Sequence, residues 1–127
     1  KLSSKNSARI ILHNRKSSQQ EMLIAQKKYY FYPVKKNIQS DQTFTIISGR
    51  LLILIFNNHG KLKKKIFLSK NKNIICRVKK NTYHCDISLS KFSLHLETKH
   101  GLFTKKTNYI GNFPKTNQII KKLIKKY

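Results

Sequence analysis

The stretch Asp41 to Phe56, DQTFTIISGRLLILIF, limits the possible folds of this chain more than any other part of it. Two apolar runs of β type, Phe44 to Ile47 and Leu51 to Phe56, flank the short turn Ser48-Gly49-Arg50. Such runs joined by a glycine-containing turn read as a hairpin, here the inner hairpin of a small β-barrel.

The rest of the chain falls into place around it. Lys1 to Ser7 is polar and reads as a frayed arm, followed by a strand at Ala8 to His13 and a polar connection from Asn14 to Gln20. Glu21 to Ala25 and Tyr29 to Tyr32 read as further strands, the second ending at Pro33, whose missing N–H suits a strand end. Lys35 to Gln42 is polar and predicts a loop. After the central hairpin, Asn57-Asn58-His59-Gly60 has the chemistry of a tight turn and predicts a second hairpin with Lys61 to Leu68 as its return strand. Strands follow at Ile74 to Val78, Thr82 to Leu89 and Phe92 to Glu97. In the last of these Phe92, Leu94 and Leu96 share one face, and Ser93, His95 and Glu97 the other. Short strands at near-regular spacing indicate an all-β barrel or sandwich. The tail differs, because Ile119, Ile120, Leu123 and Ile124 form one stripe among lysines, so Asn117 to Tyr127 predicts a short amphipathic helix. It would be marginal alone, and packing on the barrel or a second subunit is expected over packing on a membrane.

At 127 residues the chain has the length of one domain and can bury roughly two thirds of its unfolded surface. We expect an arm at 1–7, a barrel domain at 8–113 and a basic helix or tail at 114–127. No run approaches a membrane span and nothing resembles a signal peptide, so a cytoplasmic location is expected. The 28 Lys and Arg face only Glu21, Asp41, Asp86 and Glu97, giving a net charge of +24. Such a surface attracts nucleic acid and other polyanions, and lysines interleave with aromatics from Lys27 to Lys36. The lysines are nevertheless scattered, and together with abundant Asn and Ile they have the look of an AT-rich coding bias. Cys76 and Cys85 lack C-x-x-C spacing and read as buried thiols.

Several stretches in order resemble the WbuC family of cupin-fold metalloproteins: Ala8 to His13, Glu21 to Ala25, Tyr30 and Pro33, Thr43-Phe44 to Gly49-Arg50-Leu51, Thr82-Tyr83-His84 and Leu96 to Phe103. The resemblance spans about Ala8 to Phe113. It implies a cupin-type jelly-roll barrel, a place in O-antigen or other surface-polysaccharide (lipopolysaccharide) biosynthesis, and a divalent metal held by three His and one Glu. Here the first two His positions fall on Val34 and Lys36, the Glu position on Gln42, six residues before Gly49, and the last His position on His84. His84 and Gln42 are thus the surviving metal candidates, and imidazole and carboxylate donors are missing where affinity would need them. The expectation is a degenerate site with no cofactor, a family-type divalent metal being the lesser alternative.

The barrel interior implied by the resemblance carries Gln42, Phe44, His84 and Asp86, with Tyr30 and Tyr83 near the mouth. The candidate ligand pocket comprises Tyr30, Lys36, Gln42, Phe44, Arg50, His84 and Glu97, and Lys36 beside His84 or Asp86 would supply an organic cation for an anion or sugar hydroxyl. The leading expectation is therefore a metal-free cupin binding a small sugar-like or anionic ligand, with homodimers a further possibility. One alternative is a sugar isomerase or epimerase with His84 as base and Tyr83 or Asp86 as acid. The other is a nucleic-acid-binding protein driven by charge.

Overall fold

The computed structural model describes residues 5–102, 104 and 108–127. The described residues form strands β1 (Ser7–Ile11), β2 (Gln19–Lys27), β3 (Lys35–Asn37), β4 (Gln42–Ser48), β5 (Arg50–Phe56), β6 (Leu62–Ser69), β7 (Ile75–Val78), β8 (Tyr83–Ser88), β9 (Phe92–His100) and β10 (Asn108–Ile110), then helix α1 (Pro114–Ile124). Every pairing is antiparallel, in two five-stranded sheets ordered β1-β2-β9-β4-β7 and β10-β3-β8-β5-β6. Ser7 already belongs to β1, opposite Gln26, while residues 1–4 of the expected arm and Phe103 of the resemblance lie outside the described residues.

The sheets face each other as a jelly roll, and this corrects the reading of the central stretch. β4 pairs with β7 and β9, whereas β5 pairs with β6 and β8 in the other sheet. The turn at Gly49 therefore carries the chain from one sheet to the other instead of closing a hairpin. Gly49 has a φ of 78°, and a Cβ there would stand 2.5 Å from the Phe92 carbonyl oxygen, so only glycine fits this corner. β5 needs such a place because both of its faces are apolar. Leu51 and Ile53 point between the sheets, while Leu52, Leu54 and Phe56 point outward beneath α1. The Asn57–Gly60 connection does form the expected hairpin between β5 and β6, with Asn57 Oδ1 accepting from the His59 and Lys61 N–H groups.

Helix α1 begins earlier than the apolar stripe suggests because Pro114 is accommodated in its first turn. Ile120, Leu123 and Ile124 seal it onto the outer face of the second sheet, against Val34, Leu52, Leu54, Phe56, Cys85 and Ile87. Thr116 Oγ1 also donates to the Gly60 carbonyl at 2.7 Å, which ties the helix to the β5–β6 turn.

Two further expectations change. Tyr29 to Tyr32 is not a strand, because Tyr29 adopts a φ of 65° and only Phe31 bridges to Ile87. Lys35 to Asn37, read as loop, forms β3 and pairs with β8 and β10. Its three polar residues have no apolar alternation to reveal a strand, and it exists because β8 and β10 flank it. Both cysteines are buried and unbridged.

Between the sheets the contents are segregated. Phe44, Ile46, Leu51, Ile53, Leu68, Cys76 and Val78 fill the side where β4 and β7 meet β5 and β6. The other side, under β2, β9, β8 and β3, is polar apart from Met22 and Ile24 of β2.

Candidate functional site

The polar side is built by strand parity. On β9 the inward set is Ser93, His95, Glu97 and Lys99, all buried, while Phe92 is exposed. This reverses the usual alternation, in which the apolar set turns inward. On β8 the inward set is His84, Asp86 and Ser88, on β4 it is Gln42, Phe44 and Ile46, and on β2 it is Gln20, Met22, Ile24 and Gln26. Two of the chain's four acidic residues thus lie buried in one interior.

These side chains form a continuous chain of contacts across the barrel. His84 Nδ1 lies 2.8 Å from the Thr82 carbonyl, and His84 Nε2 lies 3.2 Å from Gln42 Oε1. Gln42 Nε2 donates to Glu97 Oε2 at 2.8 Å. Glu97 Oε1 is 3.0 Å from His95 Nε2, which in turn stands 3.9 Å from Asp86 Oδ2. Phe44 supports both imidazoles from below, with ring centroids 5.8 and 5.9 Å away.

Charge within the chain follows from burial and proximity. Burial holds His84 at about 4 against the raising effect of its Thr82 hydrogen bond, so it is neutral at pH 7. Burial also opposes ionisation of Glu97, but the His95 hydrogen bond and the charge of Lys35 outweigh it and hold the carboxyl at about 2. His95 is raised: burial works against its charge, and the Glu97 hydrogen bond and both carboxylates overcome burial. Asp86 is raised by burial and by the Glu97 charge. The result is an ionised Glu97 bonded to a His95 that favours its proton.

Neutral His84 faces two acceptors, the Thr82 carbonyl and Gln42 Oε1, and can donate to one. Turning the Gln42 amide over would satisfy His84 Nε2 but would set its carbonyl against the Glu97 carboxylate. The amide orientation and the proton count of the chain are therefore coupled.

Above this network a cavity of about 550 Å³ opens where the β1–β2 edge of one sheet faces the β10–β3 edge of the other. Its charged lining is Arg9, Arg15, Lys35 and Lys99, with His13 and Gln20 beside them and Met22, Tyr32 and Ile110 as apolar wall. No carboxylate lines it. Lys99, 5% exposed, lies on β9 opposite Gln20 and Gln42, and its ammonium is pulled down to about 8 by burial and then by the charge of Lys35.

The structure brings together Gln42, Phe44, His84, Asp86 and Glu97 as the sequence suggested. It places the others elsewhere. Strand β3 is set one residue away from the expected register, so Lys35 stands opposite His84 and faces inward. Lys36 turns to the outer face, its ammonium 4.8 Å from the Tyr83 ring centre, and Tyr83 itself packs edge-on against Phe113. Val34 is buried in the outer core under α1. Tyr30 stacks edge-on with Tyr32, and it is Tyr32 that reaches the cavity wall. Arg50 follows the Gly49 corner at the opposite end of β4 from Gln42 and is exposed there. The sequence reading missed Arg9, Arg15, Lys35 and Lys99. For Lys99 a signal existed, since it continues the Ser93, His95, Glu97 alternation by one step.

The family-type metal set does not fit these residues. Of its four positions only Gln42 and His84 reach the interior, and Lys35 brings a positive charge to their side. Asp86, His95 and Glu97 do offer three donor atoms within 4.8 Å of one another. There, however, His95 Nε2 and Glu97 Oε1 are paired with each other at 3.0 Å, and the Lys35 charge acts on all three groups.

Comparison with known proteins identifies the fold. No family model and no curated sequence matches. Among solved structures, the capsular polysaccharide assembling protein CapF from Staphylococcus aureus superposes with a TM-score of 0.71 at 11% identity, over 84% of this chain and 32% of that one. A protein from Shewanella oneidensis gives 0.70 at 12% identity over 91% and 84%. A cupin superfamily protein from Desulfitobacterium hafniense gives 0.61 at 14% identity over 76% and 78%. The chain thus spans about a third of the length of CapF. Its fold is the cupin-type jelly roll. Among the described residues no helix is long and apolar enough to cross a membrane.

Proposed function

We propose that the barrel binds a small anionic, hydroxyl-rich ligand such as an acidic sugar, without a family-type metal, in the service of surface-polysaccharide metabolism. The observation that carries this reading is the cavity between the β1–β2 and β10–β3 edges, walled by Arg9, Arg15, Lys35 and Lys99 with no carboxylate among them. Its size suits a monosaccharide, and Gln20 and Tyr32 offer polar groups beside an apolar wall. A place in polysaccharide metabolism is supported by the resemblance to the WbuC family and by the fold shared with CapF, whose name assigns it to capsular polysaccharide assembly. The sugar isomerase alternative loses its His84–Tyr83 pair, because Tyr83 lies on the other face of β8.

The test is amide shift mapping by NMR with glucuronate near physiological salt. Shifts should concentrate at Arg9, Gln20, Lys35 and Lys99, with glucose producing none. Shifts spread over the lysine-rich exterior, or equal shifts with glucose, would refute the reading.

A further inference from the structure

Lys99 is placed as a nucleophile is placed. It lies in the interior of a rigid antiparallel sheet, between Gln20 on β2 and Gln42 on β4. It lines the cavity along with a second amine, Lys35, and the guanidinium of Arg9. Two neighbouring cations and a buried stem both disfavour the ammonium form, the arrangement that makes a lysine amine available for attack on a carbonyl. A surface lysine lacks both features, and this chain supplies many for comparison.

We propose that Lys99 forms an imine with a small ligand carrying both a carbonyl and an anionic group, a 2-oxo acid or a keto or aldehyde sugar acid. The inference rests on the anion-binding reading of the same cavity, with Lys35 and Arg9 holding the anionic group and turning the carbonyl toward Lys99 Nζ. The nitrogen lone pair forms the carbon–nitrogen bond. The two amine protons pass to the carbonyl oxygen, which departs as water as the double bond to nitrogen forms. No oxidant or reductant takes part. At neutral pH roughly a tenth of an amine at about 8 is unprotonated, about three hundredfold more than for an ordinary lysine. Glu97, two residues earlier on the same inward face, opposes this lowering without cancelling it.

The experiment uses the intact chain, pyruvate as probe and sodium cyanoborohydride to reduce any imine, with the site located by peptide mass mapping. The expected result is one reduced adduct at Lys99, in yield rising about tenfold per pH unit up to about 8. Lactate, which carries the anion but no carbonyl, should protect. Adducts spread over the surface lysines in proportion to their exposure would overturn the proposal. So would the absence of adduct in a protein that still binds lactate, and that outcome leaves the anion-binding reading intact. If neither pyruvate nor lactate binds while glucuronate does, the imine proposal falls and the anion-binding reading stands; if none of the three binds, both fall. Lys99→Arg, which keeps the charge but presents no amine that can form an imine, should lose the adduct. An unchanged adduct yield in this variant, assigned to another lysine, contradicts the proposal independently of the mapping.

Discussion

Substituting Glu97→Gln removes the middle charge of the buried chain while keeping its shape. In the folded protein this carboxyl is held at about 2, against an ordinary 4.5, by the His95 hydrogen bond and the charge of Lys35 after burial has been overcome. At about 1.4 kcal/mol per unit, the ionised form contributes on the order of 3 kcal/mol at neutral pH. A glutamine keeps one neutral hydrogen bond of about 1 kcal/mol, so the variant should be less stable by about 2 kcal/mol at pH 7. The folded value is depressed, hence the contribution is present above 4.5 and disappears as pH falls toward 2. Urea denaturation of both proteins between pH 7 and pH 2.5 should show a gap that closes over that window. His95, deprived of its partner, should also titrate at lower pH by NMR. Equal stability at pH 7, or a gap that does not change with pH, would refute the ionised Glu97–His95 pair.

Other perturbations separate the parts of the structure. Ile120 is fully buried between α1 and the second sheet, so Ile120→Ala should cost about 2 to 5 kcal/mol in urea unfolding. A loss under 1 kcal/mol would mean that the helix does not dock there. His84, held at about 4 against 6.5, binds fewer protons folded than unfolded, so stability should fall as pH drops from 6.5 to 4. His84→Gln should flatten that limb of the pH profile, and an unflattened limb would assign the loss elsewhere. Metal analysis of protein purified without chelator should find well under one equivalent of iron, zinc, manganese or nickel, and a full equivalent would overturn the misfit argued from Lys35, Gln42 and His84.

How much of this was legible in the sequence depends on which signal each part left. An all-β barrel or sandwich was legible because the strands alternate and the turns carry glycine and asparagine, and the jelly roll came from what the resemblance implies. The Gly49 corner was not, since a turn within a sheet and a turn between sheets use the same residues. What separates them is β5, apolar on both faces, whose outer cover is a helix sixty residues away. Gln42, His84, Asp86 and Glu97 were found through parity and family spacing. Lys35 was lost to a one-residue register difference on a three-residue strand, where no hydrophobic period fixes the face. Lys99 was hidden by composition, because in a chain of +24 a lysine is the least conspicuous residue. Arg9 and Arg15 reach the cavity only when the β1–β2 edge meets β10 and β3.

The central claim, that the cavity is an anion site, is tested most directly by calorimetric titration of glucuronate into the parent chain and Lys35→Met near physiological salt. Loss of one charge-assisted contact, worth about 1.5 to 3 kcal/mol, should weaken binding roughly 10- to 100-fold. Lys80→Met, which removes a charge outside the cavity lining, should leave binding unchanged. Equal affinity in the parent and Lys35→Met, or equal weakening by Lys80→Met, would contradict the account.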